Sequence, residues 1–358
     1  MRETVTAQHQ VGMAQQFAGN LIRFGWYSSI NWLAQLVAAR AQGEQALVSR
    51  RHVHHEHAAP SREELLADLR NLFRADCVLV RDGLAVADAA QAAHGLLDHM
   101  ARLRAMFADL GDAAHRRSEG DAATIKDLAD VSGYPDYFVQ DFHFQKGGYL
   151  AEGSARLYDV QVETLFYGAA AAMRRMAMRP IAKVVSGRDQ RNVALLDVAC
   201  GTGRLLREIR LQYPAMRLTG LDLSPAYLRE AERHLSGLRR VELIAANAEE
   251  IPLRSGSQDI VTTVFLFHEL PGEVRRRVAR EMARVLKPGG WLVFIDSIQM
   301  GDRPGWDGLL EAFPQRYHEP YYRQYAIDDL DGIFTDAGLR AQATATAFLA
   351  KMMVRAKS

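Results

Sequence analysis

Short, nearly continuous apolar runs dominate the second half of the chain. Val193–Ala199, Met216–Asp222, Val241–Ala245, Asp259–Phe265 and Trp291–Asp296 have few polar interruptions. That pattern suits parallel strands buried on both faces. Amphipathic stretches with helical spacing separate them. One begins at Ser224-Pro225, with Ser at the N-cap and Pro at the first helical position. The last two runs, Leu339–Thr344 and Phe348–Arg355, are divided by a short turn and read as an antiparallel hairpin. The expected fold is α/β: a Rossmann-like, seven-stranded, mostly parallel sheet with a C-terminal antiparallel hairpin.

Upstream the period changes to that of helices. Phe17, Leu21, Phe24, Ile30, Leu33, Leu36 and Val37 recur at helical spacing within residues 1–50 and predict a buried face. Ser61-Arg62-Glu63-Glu64 is a capping box that opens a helix with Leu65, Leu66, Leu69, Leu72 and Phe73 on one side. A third helical pattern runs from Val86 to Leu110, and charged Gly111–Asp121 reads as a break. Val160–Met178 reads as the helix before the first strand. Residues 1–150 are thus expected to form an all-α substrate-cap or dimerisation domain, and residues 151–358 the α/β domain.

The chemistry concentrates in Leu195-Leu196-Asp197-Val198-Ala199-Cys200-Gly201-Thr202-Gly203-Arg204. A buried strand turns at two glycines and enters a helix whose free N–H groups face the turn. Such a turn takes a nucleotide-like ligand at the carboxyl ends of parallel strands. The dinucleotide fingerprint needs a third glycine where this chain has Leu206. Asp222 closes the second apolar run, where a carboxylate can accept both hydroxyls of a ribose.

This stretch resembles motif I of the class I S-adenosylmethionine (SAM)-dependent methyltransferases. Asn247-Ala248-Glu249, Phe267-His268-Glu269-Leu270-Pro271 and Leu286-Lys287-Pro288-Gly289-Gly290 follow in the family's order. The resemblance covers roughly residues 158–358 and is nearest the small-molecule branch that includes the quinone-biosynthesis methyltransferases. It implies S-adenosyl-L-methionine as cofactor. It places Tyr158, Ala199, Gly201, Thr202, Gly203 and Phe265 around that cofactor. Asp197 would hold the methionine ammonium, Asp222 the ribose hydroxyls and Asn247 the adenine edge. Leu223 would pack on the adenine, and Ala248 would donate from its backbone. The family usually has Asp where Asn247 stands, but an amide oxygen can still accept. His268 follows the fourth strand beside the expected methyl position, so it is the first candidate for a general base or for a structural hydrogen bond. His143, Tyr149 and Glu269 are further candidates.

Composition narrows the acceptor. The formal net charge is +1, with no basic stripe for nucleic acid. No Asn- or Asp-Pro-Pro-Tyr motif follows the fourth strand. The two cysteines, Cys77 and Cys200, form no disulfide framework and fit a reducing, cytoplasmic setting. The start Met1-Arg2-Glu3-Thr4-Val5 lacks the pattern of a signal peptide. Phe17–Ala39 is apolar, but Asn20, Arg23, Asn31 and Gln35 interrupt it, which makes it a poor membrane span. Phe24, Trp26, Tyr27 and Trp32 are read as domain packing or a dimer contact before a substrate pocket. The histidines of Arg51–His57 lack a zinc signature and read as a solvated linker, so no metal site is expected.

Tyr134–Leu150 is dense in aromatics and carries Gly147-Gly148, as a lid would. Ile298–Tyr325 holds Trp306, Phe313, Tyr317, Tyr321, Tyr322 and Tyr325 with His318 and Glu319, as a cap would. Both point to a small, largely apolar or aromatic acceptor methylated on oxygen or carbon. The competing readings are a lipid or quinone C-methyltransferase at a membrane surface, a SAM-binding regulatory protein without turnover, and an NAD-dependent oxidoreductase. Nothing in the sequence decides whether the chain is a homodimer.

Overall fold

The structure is a computed structural model and describes residues 2–42, 56–87, 95–119, 125 and 130–358. Its centre is one sheet of seven strands: β1 (Ala194–Val198), β2 (Arg217–Asp222), β3 (Glu242–Ala245), β4 (Gln258–Val264), β5 (Leu286–Ser297), β6 (Leu339–Ala347) and β7 (Ala350–Lys357). The spatial order is β3-β2-β1-β4-β5-β7-β6. The first five strands pair in parallel, while β7 runs antiparallel to both β5 and β6. This is the expected Rossmann-like sheet with its terminal hairpin. The chain reverses its direction of travel across the sheet between β1 and β4, so a crevice opens at their carboxyl ends.

Alternate residues of each strand feed opposite cores, as a period of two requires. Leu195, Ile260 and Val293 face one cluster; Leu196, Val261 and Leu292 face the other. The first cluster also takes Leu69, Leu72 and Phe73 from the N-terminal half, so the helical region packs directly onto one face of the sheet.

That region holds α1 (Arg2–Gln42), α2 (Arg62–Arg81) and α3 (Leu96–Glu119). The capping box at the start of α2 is complete: the Ser61 N–H donates to Glu64 at 2.7 Å and the Glu64 N–H donates to Ser61 Oγ at 3.2 Å. Three sequence expectations change. On α1 the predicted apolar face is only partly inside: Ile30 is buried and Phe24 packs on the core, but Phe17, Leu21, Leu33, Leu36 and Val37 are exposed. Gln16 and Asn20 are buried instead, donating to the Asp76 carboxylate at 2.8 and 2.9 Å. Asp76 is itself ion-paired with Arg175, and both side chains are sealed from solvent. A buried charge pair needs its remaining lone pairs satisfied, and that demand turns the polar side of α1 inward.

Gly111 does not end α3, which continues to Glu119. Arg116 lies in that extension and donates to the Phe144 carbonyl at 3.0 Å and to Asp109 at 3.1 Å. These tertiary bonds outweigh the cost of a mid-helix glycine, about 1 kcal/mol. The segment expected as one helix over 160–178 is three: α4 (Glu152–Leu165), α5 (Ala170–Arg175) and α6 (Met178–Val185). Tyr167 and Gly168 break it with positive φ, and Pro180 sits in the first turn of α6, where its missing N–H is tolerated.

His52, His54 and His55 lie outside the described residues; His57 pairs with Glu311 at 2.7 Å on the surface. Among the described residues no helix is long and apolar enough to cross a membrane.

Candidate active site

The glycine turn follows β1. Ala199, Gly201 and Gly203 all have positive φ, and Gly203 caps α7 (Arg204–Gln212). A Cβ on Gly203 would stand 3.0 Å from Ala231 on α8 (Pro225–Leu235), so the close approach of the turn to α8 needs glycine. Asp159 of α4 holds the turn from below. It accepts from Thr202 Oγ1 at 2.8 Å and Arg204 Nε at 2.9 Å, with His234 Nε2 at 3.4 Å. Burial would raise the Asp159 carboxyl, but the charges of Arg204 and His234 prevail and hold it well below the usual range.

Asp222 ends β2 in the same place. Its two oxygens accept from the N–H groups of Gly201 and Ser224, each at 2.8 Å. Burial pushes its carboxyl up to about 6. Asp197 lies one layer beneath, accepting from Thr262 Oγ1 at 2.6 Å; burial pushes it up to about 7. Burial also pushes the Cys200 thiol well above its ordinary value, so that side chain packs and does not react.

These elements wall a cavity. Of the residues expected around the cofactor, Tyr158, Ala199, Gly201, Asp222, Leu223, Asn247, Ala248 and Phe265 line it. Asp197, Thr202 and Gly203 do not; they shape the turn from behind. The lid supplies the opposite wall through Tyr137, Phe138, Phe142 and Tyr149. Phe142 and Tyr149 stack with centroids 5.1 Å apart. The lid folds tightly: a Cβ on Gly148 would meet the Gln140 carbonyl oxygen at 2.2 Å. Tyr137 reaches across to donate to Glu249 at 2.7 Å and to Asn247 at 3.4 Å, tying the lid to the loop after β3. Aromatic density marked the lid in the sequence. Tyr227, a wall residue on α8, carried no sequence signal. Tyr27 is buried away from the cavity, and Trp26 and Trp32 are exposed.

Behind the wall formed by Tyr149 and Glu269 lies a polar cluster whose other members, His268, Asp296, His143 and Glu319, do not line the cavity. His268 Nδ1 donates to Asp296 at 2.6 Å, and Asp296 also accepts from the Phe267 and Ser297 N–H groups, each at 2.7 Å. Burial alone would lower the imidazole, but the Asp296 carboxylate and its hydrogen bond raise it to about 10. A ring held protonated by that carboxylate has no lone pair for a proton, which favours the second of the two roles expected of His268, a structural hydrogen bond, over a general base.

Beside it, Tyr149 and Glu269 line the cavity, and the Tyr149 hydroxyl donates to Glu269. His143 Nε2 lies 3.4 Å from that hydroxyl and 3.7 Å from Glu269 Oε1. His143 Nδ1 lies 3.0 Å from Glu319 Oε1. His143, Glu269 and Glu319 each offer a donor atom within 4.8 Å of the others, close enough for a cation as well as for proton exchange. Lid, post-β4 segment and cap each supply one of them, so no local spacing could announce the cluster.

Residues 195–290 match the family described as methyltransferase domain. The demethylmenaquinone methyltransferase of Listeria welshimeri is 38% identical over 144 residues, which are 38% of this chain and 58% of that protein. The ubiquinone/menaquinone biosynthesis C-methyltransferase UbiE of Syntrophotalea carbinolica is 33% identical over 152 residues, 42% of this chain and 60% of that protein. The chain thus spans about three-fifths of the length of the curated relatives it matches. Among solved structures, a SAM-dependent methyltransferase from Aquifex aeolicus aligns with TM-score 0.38 and 20% identity, covering 50% of this chain and 89% of that one.

Proposed function

We propose that this chain is an S-adenosylmethionine-dependent methyltransferase acting on oxygen or carbon of a small, largely apolar or aromatic molecule. One observation carries the reading. The Asp222 carboxylate, aimed by the Gly201 and Ser224 amides, stands at the rim of a cavity at the carboxyl ends of β1, β2 and β4. The methyltransferase match over residues 195–290 spans that same turn and carboxylate.

When bound, S-adenosylmethionine supplies a methyl group already activated by its sulfonium. The protein's work is then binding, alignment and exclusion of water. Asp222 would accept the ribose hydroxyls, Leu223 would pack on the adenine and Asn247 would meet its edge. Tyr158 would close the near wall. The stacked Phe142 and Tyr149 would cover the reacting end and hold a flat acceptor against it. Such alignment is worth roughly 7–11 kcal/mol of a displacement barrier.

Calorimetric titration with SAM, S-adenosylhomocysteine and NAD tests this on the wild type and Asp222→Ala. The first two should bind, and the variant should bind them roughly 10- to 100-fold more weakly, the worth of a charge-assisted bond. Binding of NAD instead, or equal binding to the variant, overturns the reading. A second reading, C-methylation of a quinone-type acceptor at a lipid surface, draws support from the exposed Ile22 and Trp32 of α1 and from the relatives' names. Co-sedimentation with liposomes separates the two.

A further inference from the structure

The polar cluster behind the cavity wall has an ordered geometry. Glu269 is at the cavity wall; Glu319 is behind it, with a side chain of zero exposure. The His143 ring stands between them and turns a different nitrogen to each: Nε2 toward Glu269 at 3.7 Å, Nδ1 toward Glu319 at 3.0 Å. The Tyr149 hydroxyl bridges the wider gap, donating to Glu269 and lying 3.4 Å from Nε2. Neither Glu319 oxygen receives a well-aligned hydrogen bond, although the residue is buried. One ligand atom from each of the three residues lies within 4.8 Å of the others, so the group has cation spacing too; what favours a relay is that the ring also offers a separate nitrogen to each carboxylate. A ring threaded between two carboxylates passes protons from one to the other.

We propose that Glu269, His143 and Glu319 form a proton relay from the cavity to the protein interior, and that the methyl acceptor is therefore a molecule with an ionisable hydroxyl, a phenol or an enol. The inference rests on the methyltransferase reading and adds the acceptor's class to it. The hydroxyl proton passes to the Glu269 carboxylate and on to His143 Nε2, directly or through the Tyr149 hydroxyl. The Nδ1 proton passes to Glu319. The electron pair left on the acceptor forms the new bond to the methyl carbon, from oxygen or from a conjugated ring carbon. The pair of the broken carbon–sulfur bond stays on sulfur, which becomes a neutral thioether. Where carbon is methylated, the ring C–H proton then passes to the Glu269 carboxylate, which the first transfer has left unprotonated again, and the C–H bonding pair restores aromaticity.

Glu269 would touch the acceptor; His143 and Glu319 act through it and are positioning residues. The titratable groups around them are Tyr149 on the lid, His268 and Glu269 after β4, Asp296 on β5, and His318, Glu319 and Tyr322 on the cap. Asp296 holds His268 Nδ1 at 2.6 Å while His268 Nε2 lies 3.8 Å from Glu269, so both histidines face that carboxylate and His143 alone stands between it and Glu319. Burial raises Glu319 to about 7, and the two carboxylates raise His143 against its own burial. Glu319 thus takes up and releases a proton near neutral pH, as the inner end of a relay must.

The test needs no known acceptor at first. In full-length protein with ring-15N histidine, Glu319→Gln and Glu269→Gln should each lower the His143 pKa by about one unit, a tenfold change in proton affinity. The His268 resonance, held by Asp296, should move much less. Far-UV circular dichroism and thermal melts serve as the check that each variant is folded. The second arm offers SAM with phenol, catechol, hydroquinone and 1,4-dihydroxynaphthalene, matched against aniline and benzoate, and reads S-adenosylhomocysteine. Hydroxyl compounds alone should turn over. Glu269→Gln should cut kcat/KM roughly 10²- to 10⁴-fold, as loss of a general base does. Glu319→Gln should displace the rising limb of the pH profile, and Glu319→Asp should restore it. The relay is overturned by an unmoved His143 in both Gln variants, by transfer to aniline or benzoate but to no hydroxyl compound, or by activity that EDTA abolishes and a divalent metal restores. If the wild type bound no SAM, the methyltransferase reading would fail, while the His143 titration would still report on the relay.

Discussion

Asp159 is the point at which fold and site depend on one carboxylate, and Asp159→Asn isolates its charge. The residue is buried in α4, and each of its oxygens accepts from a donor: Oδ1 from Thr202 Oγ1 at 2.8 Å and Oδ2 from Arg204 Nε at 2.9 Å, with the His234 ring 3.4 Å away. Asparagine keeps the shape. Its NH2 group must then face a donor whichever way the amide turns, and Arg204 loses its counter-charge. Breaking a buried pair costs about 3–5 kcal/mol. The Arg204 side chain keeps some contact with water, with 20% exposure, so the low end applies, about 3 kcal/mol. That is roughly a 100-fold smaller folding constant. Urea unfolding followed by tryptophan fluorescence and far-UV circular dichroism measures it, and coincident curves establish a two-state transition. The sign with pH is fixed. A carboxyl depressed in the folded state stabilises above its unfolded pKa of about 3.9 and loses that contribution as pH falls toward the folded value. The penalty of the variant should therefore be full at pH 7 and shrink below about pH 4. Because Thr202 and Arg204 flank Gly203, SAM binding should weaken with it. A loss under about 1 kcal/mol at pH 7 with unchanged SAM affinity would refute the reasoning, since a surface pair gives no more.

His268 carries the opposite pH signature. Its folded pKa is raised to about 10, so its bond to Asp296 stabilises fully below about pH 6.5 and is lost as pH rises through 10. The destabilisation by His268→Gln should therefore be largest near pH 6 and fade toward pH 10, measured by unfolding across that range. Asp76→Asn leaves Arg175 sealed without its main counter-charge and leaves one acceptor oxygen where Arg175, Gln16 and Asn20 now share two. It should cost about 3–5 kcal/mol, seen in thermal melts, and should free α1 to exchange its amide hydrogens faster.

The strands were readable because burial on both faces leaves an apolar run no alternative. The turn from Ala199 to Arg204 was readable because it needs small residues at fixed places, and the start of α2 because a capping box is local chemistry. The burial of α1 was not readable. Helical spacing sorted its apolar residues correctly, but Asp76 and Arg175 lie far along the chain and decide which side faces in. The continuation of α3 past Gly111 likewise depends on a bond from Arg116 to a lid carbonyl.

For the candidate site, the sequence by itself picked out one wall of the cavity. Tyr158, Ala199, Gly201, Asp222, Leu223, Asn247, Ala248 and Phe265 sit at or just beyond the ends of consecutive elements, and a parallel sheet brings such ends to one edge. Tertiary structure alone assembled the polar cluster behind the opposite wall. Packing of lid and cap sets His143 between Glu269 and Glu319, and the bond to Asp296 makes His268 a fixed imidazolium. The physical reason is range. Backbone preference and periodicity act over one turn or one strand, whereas the charge state of a buried histidine is set by whichever carboxylate the whole fold places beside it.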